Sequence, residues 1–324
     1  MASTFTTSIR RGKAAIAAAA VVVAGLAVAG SVPARAAAST TAPAARACVP
    51  GKIVDFCRAV PPADGFRLDK GTYETIAFPG ASLTVPYRSN NRGQVVGAYI
   101  VPDGTPGGRT HGFLYERGRF RTVDGPGRAL TELFGINERG QIVGTYQDAM
   151  GITHGLLLDR GTVKKIDFPG SKETVLYSIN DRGRIIGAYV DAAGKSQHFS
   201  LHKGAGGPFT PIDYPGASLT VPFDLNDRNQ VVGSYLDAAG KPQGFLLDDG
   251  VYTVIDTSAY PSAQLLGIND RGEIVGGYLD PGGKVRGLLR DAKGAFTTFS
   301  APQAGSQTGP LDINDRRQIV GIFR

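Results

Sequence analysis

The chain runs to 324 residues, with 35 lysines and arginines against 28 acidic residues, 45 glycines, 20 prolines, two cysteines and no tryptophan. The positive excess is mild and carries no Lys/Arg blocks, so a nucleic-acid partner is not expected. Beyond the N-terminus no run approaches the roughly 18 apolar residues of a membrane span, which excludes that class too.

Residues 1–36 read as an export signal. Arg10, Arg11 and Lys13 form a positive start, Ala14 to Gly30 is apolar, and Ala34-Arg35-Ala36 supplies a small-residue cleavage site. A transmembrane helix is the competing reading, but the run is short and rich in alanine and glycine. The leader holds four bases and no acids, so cleavage leaves 288 residues and lowers the net charge from +7 to +3. The protein is therefore expected to be secreted or associated with the cell surface. Residues 37–64 form an Ala/Pro-rich segment in which Cys48 and Cys57 are expected to bridge each other in an oxidising compartment. So short a loop contributes at most about 3 kcal/mol.

From residue 65 to residue 324 the chain repeats one phrase. It reads SNNRGQVVGAY at 89–99, INERGQIVGTY at 136–146, INDRGRIIGAY at 179–189, LNDRNQVVGSY at 225–235, INDRGEIVGGY at 268–278 and INDRRQIVGIF at 313–323. Counted from the asparagine (Asn90, Asn137, Asn180, Asn226, Asn269, Asn314), the gaps are 47, 43, 46, 43 and 45 residues. That period fits four-stranded propeller blades or paired-helix repeats. Glycine punctuation, Ile-Val pairs and the lack of a helical period select strands.

Each copy holds four short apolar runs. In the third they are 155–158 (GLLL), 163–167 (VKKID), 175–179 (VLYSI) and 184–190 (RIIGAYV). Three of the four links are tight turns, with Asp or Asn first and glycine where a left-handed residue is needed. Asn229 replaces one such glycine and tolerates that conformation, whereas Arg317 in the last copy predicts strain or a looser turn. The fourth link is long: FPGASLT at 78–84, FPGSKET at 168–174 and YPGASLT at 214–220. Tight turns join antiparallel neighbours and long links pass between sheets. The blade order is therefore the IN strand innermost, then VGxY, then GF, then ID. On this register the chain starts with two strands and stops after two. The expected fold is an all-β, six-bladed propeller whose ring is closed by N-terminal strands pairing with C-terminal strands. Six blades of one contiguous repeat each is the alternative. The column Tyr99, Tyr146, Tyr189, Tyr235, Tyr278, Phe323 is expected to fill the core rather than to stack on a ligand.

The phrase IN-x-x-G-x-(I/V)-VG, followed after a D-x-x-G turn by His111-Gly112-Phe113, His154-Gly155-Leu156 or His198-Phe199, resembles the HAF-repeat family of predicted extracellular proteins. Glycine stands for the family's usual alanine, and Tyr115, Leu158 and Leu247 stand where its tryptophan is expected. The resemblance spans residues 65–324. It implies no known reaction and no catalytic residue.

Chemistry is sparse. His111, His154 and His198 share one repeat position, with His202 nearby, but they start the third strand, where equivalent positions in adjacent blades diverge too far for a zinc ion. Most aspartates fall at turns or end the ID strand. No calcium loop, phosphate loop or nucleophile elbow is present, and no metal or cofactor is expected. Two columns remain. Two residues before each asparagine, on the innermost strand, stand Arg88, Gly135, Ser178, Asp224, Gly267 and Asp312, a scatter of charge and size suited to a channel lining. Arg88 and Asp312 are neighbours across the seam, placed either for a salt bridge or for a ligand. Six residues before the asparagine stand Thr84, Thr131, Thr174, Thr220 and Thr308, with Ala263 the exception. Their hydroxyls cap the links' own backbone, or they ring the channel mouth on the link face and meet a polar ligand. The leading functional expectation is a monomeric, non-enzymatic binding module for an extracellular glycan, peptide or protein. The alternative is a six-bladed enzyme of lactonase or lyase type with a metal at the channel mouth, for which only Asp224 and Asp312 offer carboxylates on the inner strand.

Overall fold

The structure, a computed structural model, describes residues 64–104, 108–127, 130–202, 206–302 and 307–323. The leader, Cys48 and Cys57 lie outside the described residues.

The turn chemistry decides the local structure. β1 (Asp64–Asp69) and β2 (Thr72–Ile76) are joined through Lys70 and Gly71, both at positive φ. The same two-residue turn recurs at Arg117-Gly118, Arg160-Gly161 and Asp249-Gly250, whose twist suits an antiparallel hairpin. It joins β5 (Arg109–Glu116) to β6 (Arg119–Thr122), β9 (Thr153–Asp159) to β10 (Thr162–Ile166) and β17 (Pro242–Asp248) to β18 (Val251–Ile255). The Asn turns close with Gly93, Gly140, Gly183 and Gly272 at φ 75–78°, with Asn229 at 63° and Arg317 at 62°. The last turn is not looser than the others. Arg317 keeps the turn hydrogen bond to Asn314 O at 2.9 Å and carries the strain, worth about 1 kcal/mol for a side chain in that region.

Each phrase begins on an inner strand: β3 (Leu83–Ser89), β7 (Leu130–Ile136), β11 (Glu173–Ile179), β15 (Leu219–Leu225), β19 (Gln264–Ile268) and β23 (Thr308–Ile313). It continues into β4 (Val95–Val101), β8 (Ile142–Gln147), β12 (Ile185–Val190), β16 (Val231–Leu236), β20 (Ile274–Leu279) and β24 (Ile319–Phe323). The outer strands that complete the set are β13 (Ser196–Leu201), β14 (Phe209–Pro211), β21 (Val285–Arg290) and β22 (Phe296–Phe299). The order β11-β12-β13-β14, with its equivalents β15-β16-β17-β18 and β19-β20-β21-β22, is the one expected.

The strands form four four-stranded sheets and one eight-stranded sheet. In the larger sheet two antiparallel four-strand ladders, β3 to β6 and β7 to β10, meet through a single parallel bridge between Thr110 and Leu130. The seam sheet has the order β2-β1-β24-β23, with Asp64 opposite Phe323 and Leu68 opposite Ile319. β1 and β24 each have a partner on both sides, so neither presents an unpaired edge at the closure. Inner strands touch in a closed cycle, β3 to β7, β11, β15, β19, β23 and back to β3.

One feature of the inner strands is not visible in the spacing. Each carries a bulge three residues before its asparagine, at Tyr87, Phe134, Tyr177, Phe223, Leu266 and Leu311. The bulge presses an inner-strand carbonyl onto the neighbouring strand, which explains the glycine of the VG pair. A Cβ on Gly97 would lie 2.0 Å from Val85 O, and one on Gly276 1.7 Å from Gln264 O. Only a residue without a side chain permits that approach.

The aromatic column packs as expected. Phe78 stacks on Tyr99 at 3.6 Å, Phe168 on Tyr189 at 3.6 Å and Tyr214 on Tyr235 at 3.7 Å, tying each long link to the second strand of its own sheet.

Candidate functional site

The asparagine of the phrase works twice. Asn180 Oδ1 accepts the N–H groups of Arg182 (3.1 Å) and Arg184 (2.9 Å), which closes its own turn. Asn180 Nδ2 then donates to the carbonyl of Asn226, the equivalent residue one repeat on, at 3.0 Å. All six asparagines do the same at 3.0–3.2 Å, and Asn314 donates back to Asn90, so the belt closes on itself.

A second cycle lies beside the first. The residue after each asparagine donates its backbone N–H to the side chain of its counterpart in the next repeat. Asn91 donates to Glu138, Glu138 to Asp181 at 2.7 Å, Asp181 to Asp227 at 2.6 Å, and Asp227 to Asp270 at 2.7 Å. Asp270 donates to Asp315 at 2.7 Å, and Asp315 to Asn91 Oδ1 at 2.9 Å. Five carboxylates and one amide thus ring the axis. Burial raises the pKa of Glu138 and Asp270 and pushes Asp227 up to about 6. The two rings and the inner-strand ends enclose a cup of about 80 Å³, room for a handful of waters.

The cup has a solid floor, built from the scattered inner-strand column. Arg88 reaches across the axis to Asp224 at 2.6 Å and Asp312 at 3.0 Å, and donates to the carbonyls of Phe134 (3.4 Å) and Phe223 (3.3 Å). Ser178 donates to Asp224 Oδ1 at 2.7 Å, Ile268 N–H to Asp224 Oδ2 at 2.8 Å, and Ser89 N–H to Asp312 Oδ2 at 2.8 Å. Burial opposes the charge on Arg88, but the two carboxylates outweigh it and raise its pKa. Burial likewise raises that of Asp224. The column's glycines leave room for this cluster, since a Cβ on Gly267 would lie 2.8 Å from the Asp312 Cα. Tyr87, Phe223, Leu266 and Leu311, all from bulges, pack together in one apolar cluster and fill space between the inner strands.

The structure brings Arg88, Ser178, Asp224 and Asp312 together at the base of the cup. It places the five threonines elsewhere. Their hydroxyls accept link N–H groups: Thr84 from Phe78, Thr131 from Gly125, Thr174 from Phe168, Thr220 from Tyr214 and Thr308 from Ala301, all at 2.8–3.0 Å. All five are buried at the starts of the inner strands, about 20 Å from the asparagine ends. The cup therefore opens on the face opposite the long links. Sequence reasoning missed the carboxylate ring because residues such as Asp181 read as ordinary turn formers. The available signal was an acid after the asparagine in five of six copies.

The histidines stay within their own sheets. His111 Nδ1 meets Asp124 and His154 Nδ1 meets Asp167, both at 2.8 Å, while burial lowers the pKa of His198 to about 4. Among the described residues no group of three or more His, Cys, Asp or Glu side chains is placed to hold a metal ion.

These strands define a β-propeller built from four-stranded blades. The chain is similar in fold to a protein described as putative TolB from Agrobacterium tumefaciens, at 12% identity and a TM-score of 0.60 over 82% of this chain and 99% of that one. It is also similar to TolB from Acinetobacter baumannii, at 12% identity and a TM-score of 0.55, covering 76% of this chain and 65% of that one. The chain thus spans about two thirds of the Acinetobacter protein's length. No family model and no curated protein sequence matches it.

Proposed function

We propose that the protein is an exported, six-bladed, HAF-repeat-like propeller that acts as a monomeric binding module, with the cup on the Asn-turn face as its site. The six-blade count treats the eight-stranded sheet as two blades touching through one bridge. The closed cycle of inner strands and the two six-membered hydrogen-bond rings support that count. The observation that carries the binding reading is the sealed floor. Arg88, Asp224 and Asp312 block the axis, so the cup is a blind receptor lined by amides and carboxylates. Such a lining accepts hydrogen bonds from the hydroxyls of a glycan or the N–H groups of a peptide. Capture on a glycan and peptide array tests it. Asp181→Asn with Asp227→Asn keeps the Oδ1 that accepts the neighbour's N–H but removes charge from the ring. Lost capture with an unchanged melting temperature supports the cup, and unaltered capture ends it.

A further inference from the structure

We propose that the cup takes an acidic polysaccharide, whose carboxylates are held by a crown of arginines around the rim and whose hydroxyls meet the acceptor ring inside. The proposal rests on the cup reading above. In every repeat the second residue after the asparagine is arginine: Arg92, Arg139, Arg182, Arg228, Arg271 and Arg316, all exposed. Packing holds a buried column constant, but an exposed column is free to drift.

The turn itself does not require arginine. The Asp148–Gly151 turn has the same construction, with Asp148 Oδ1 accepting Met150 N–H and Ile152 N–H at 2.9 Å and Gly151 in the left-handed region. There the equivalent place carries Met150, Ala193, Ala239 and Gly282 in four copies. Nor does ion pairing account for the column. Among the described residues only Arg92 of the six is in an ion pair, with Glu138 at 3.8 Å. The other five guanidinium groups are exposed and make no close ion pair among the described residues, although Arg228 acts electrostatically on Asp270 and Arg271 on Glu273.

The chemistry of the two zones selects the partner. A guanidinium fork matches a planar carboxylate in bidentate fashion. The inner ring offers carboxylate and amide oxygens, which suit hydroxyl donors and repel a second row of anions. An acidic sugar chain presents carboxylates and hydroxyls side by side. A DNA strand would bring its phosphates onto the acidic ring without hydroxyl donors between them. With room for about 80 Å³, the cup is shallow and the chain lies across the rim.

Calorimetry of the full chain with oligogalacturonate tests this, with a neutral dextran oligosaccharide and single-stranded DNA as comparators. Arg139→Gln, Arg182→Gln and Arg228→Gln combined are expected to weaken oligogalacturonate binding about ten-fold or more. The same three positions changed to lysine keep the charge without the fork and are expected to give an intermediate loss. A variant with the same charge loss at the outer hairpin, Arg117→Gln, Arg119→Gln and Arg121→Gln, is expected to bind nearly as the parent does. Equal losses in the two glutamine variants would mean diffuse attraction and overturn the proposal. So would DNA binding as tight as oligogalacturonate, or no oligogalacturonate binding at all. If the crown variant binds unchanged while Asp181→Asn with Asp227→Asn loses capture, the crown is wrong and the cup survives.

Discussion

Glu132 is a buried acid that the fold does not need. It sits five residues before Asn137, in a column where Val85, Val175 and Val221 occupy the equivalent places and are buried. Glu132 is 4% exposed, receives only the Tyr87 hydroxyl at 3.2 Å, and its Oε2 has no partner. Burial pushes its pKa from 4.5 up to about 7, against a smaller opposing effect from the Tyr87 hydrogen bond. Below about pH 4.5 the carboxyl is protonated in both the folded and the unfolded chain and adds no penalty. Between 4.5 and 7 the unfolded chain ionises while the folded one keeps its proton, so stability falls by about 1.4 kcal/mol per pH unit. Above 7 the loss is complete, at roughly 3 kcal/mol. Glu132→Val places in this sheet the residue that three other repeats already use. It should raise the melting temperature at pH 8 by on the order of 5–10 °C for a domain of this size. The gain should shrink steadily as the pH falls and be smallest near pH 4. Calorimetric or circular-dichroism melts of parent and variant from pH 4 to pH 8 measure it. A gain independent of pH, or a loss at pH 8, would refute the assignment of Glu132 as an unpaired buried acid.

Three further outcomes are expected. Arg88→Met strands two buried carboxylates and should cost about 3–5 kcal/mol in denaturant melts; adding Asp224→Asn and Asp312→Asn should restore most of it, and no rescue would mean the residues do not act as one cluster. Deleting 315–324 removes β24, the partner of both β1 and β23, and should abolish cooperative unfolding; an unchanged melting temperature would contradict the seam. Thr174→Val with Thr220→Val leaves the N–H groups of Phe168 and Tyr214 unpaired and should cost about 1–3 kcal/mol each, with glycan or peptide capture retained; lost capture without a stability change would return the site to the link face.

What the sequence by itself determined is whatever lies within one repeat or follows from counting repeats. The Asn and Asp turns and the left-handed places at Gly183 and Asn229 depend on residues a few positions apart, and the strand order within a sheet and the packing of Tyr99 on Phe78 and Tyr189 on Phe168 on residues within one repeat length. The pairing of the first strand with the last was expected from counting strands, and the structure supplies its register, Asp64 opposite Phe323 and Leu68 opposite Ile319. The bulge at Tyr177 was hidden because a two-residue alternation does not reveal one extra residue, although the VG glycine that it demands stood in plain view. Tertiary closure decided the rest. Arg88 was legible as a partner for Asp312 beside it, but Asp224 joins them only because the ring brings the far side of the axis within reach of one side chain. The carboxylates of Asp181, Asp227 and Asp270 read singly as turn residues and form an acceptor ring only when successive turns are set side by side. The threonines and the cup fall at opposite ends of the same strands because an inner strand is about 20 Å long. That a cup forms at the asparagine end was a property of the assembled ring and not of any local pattern.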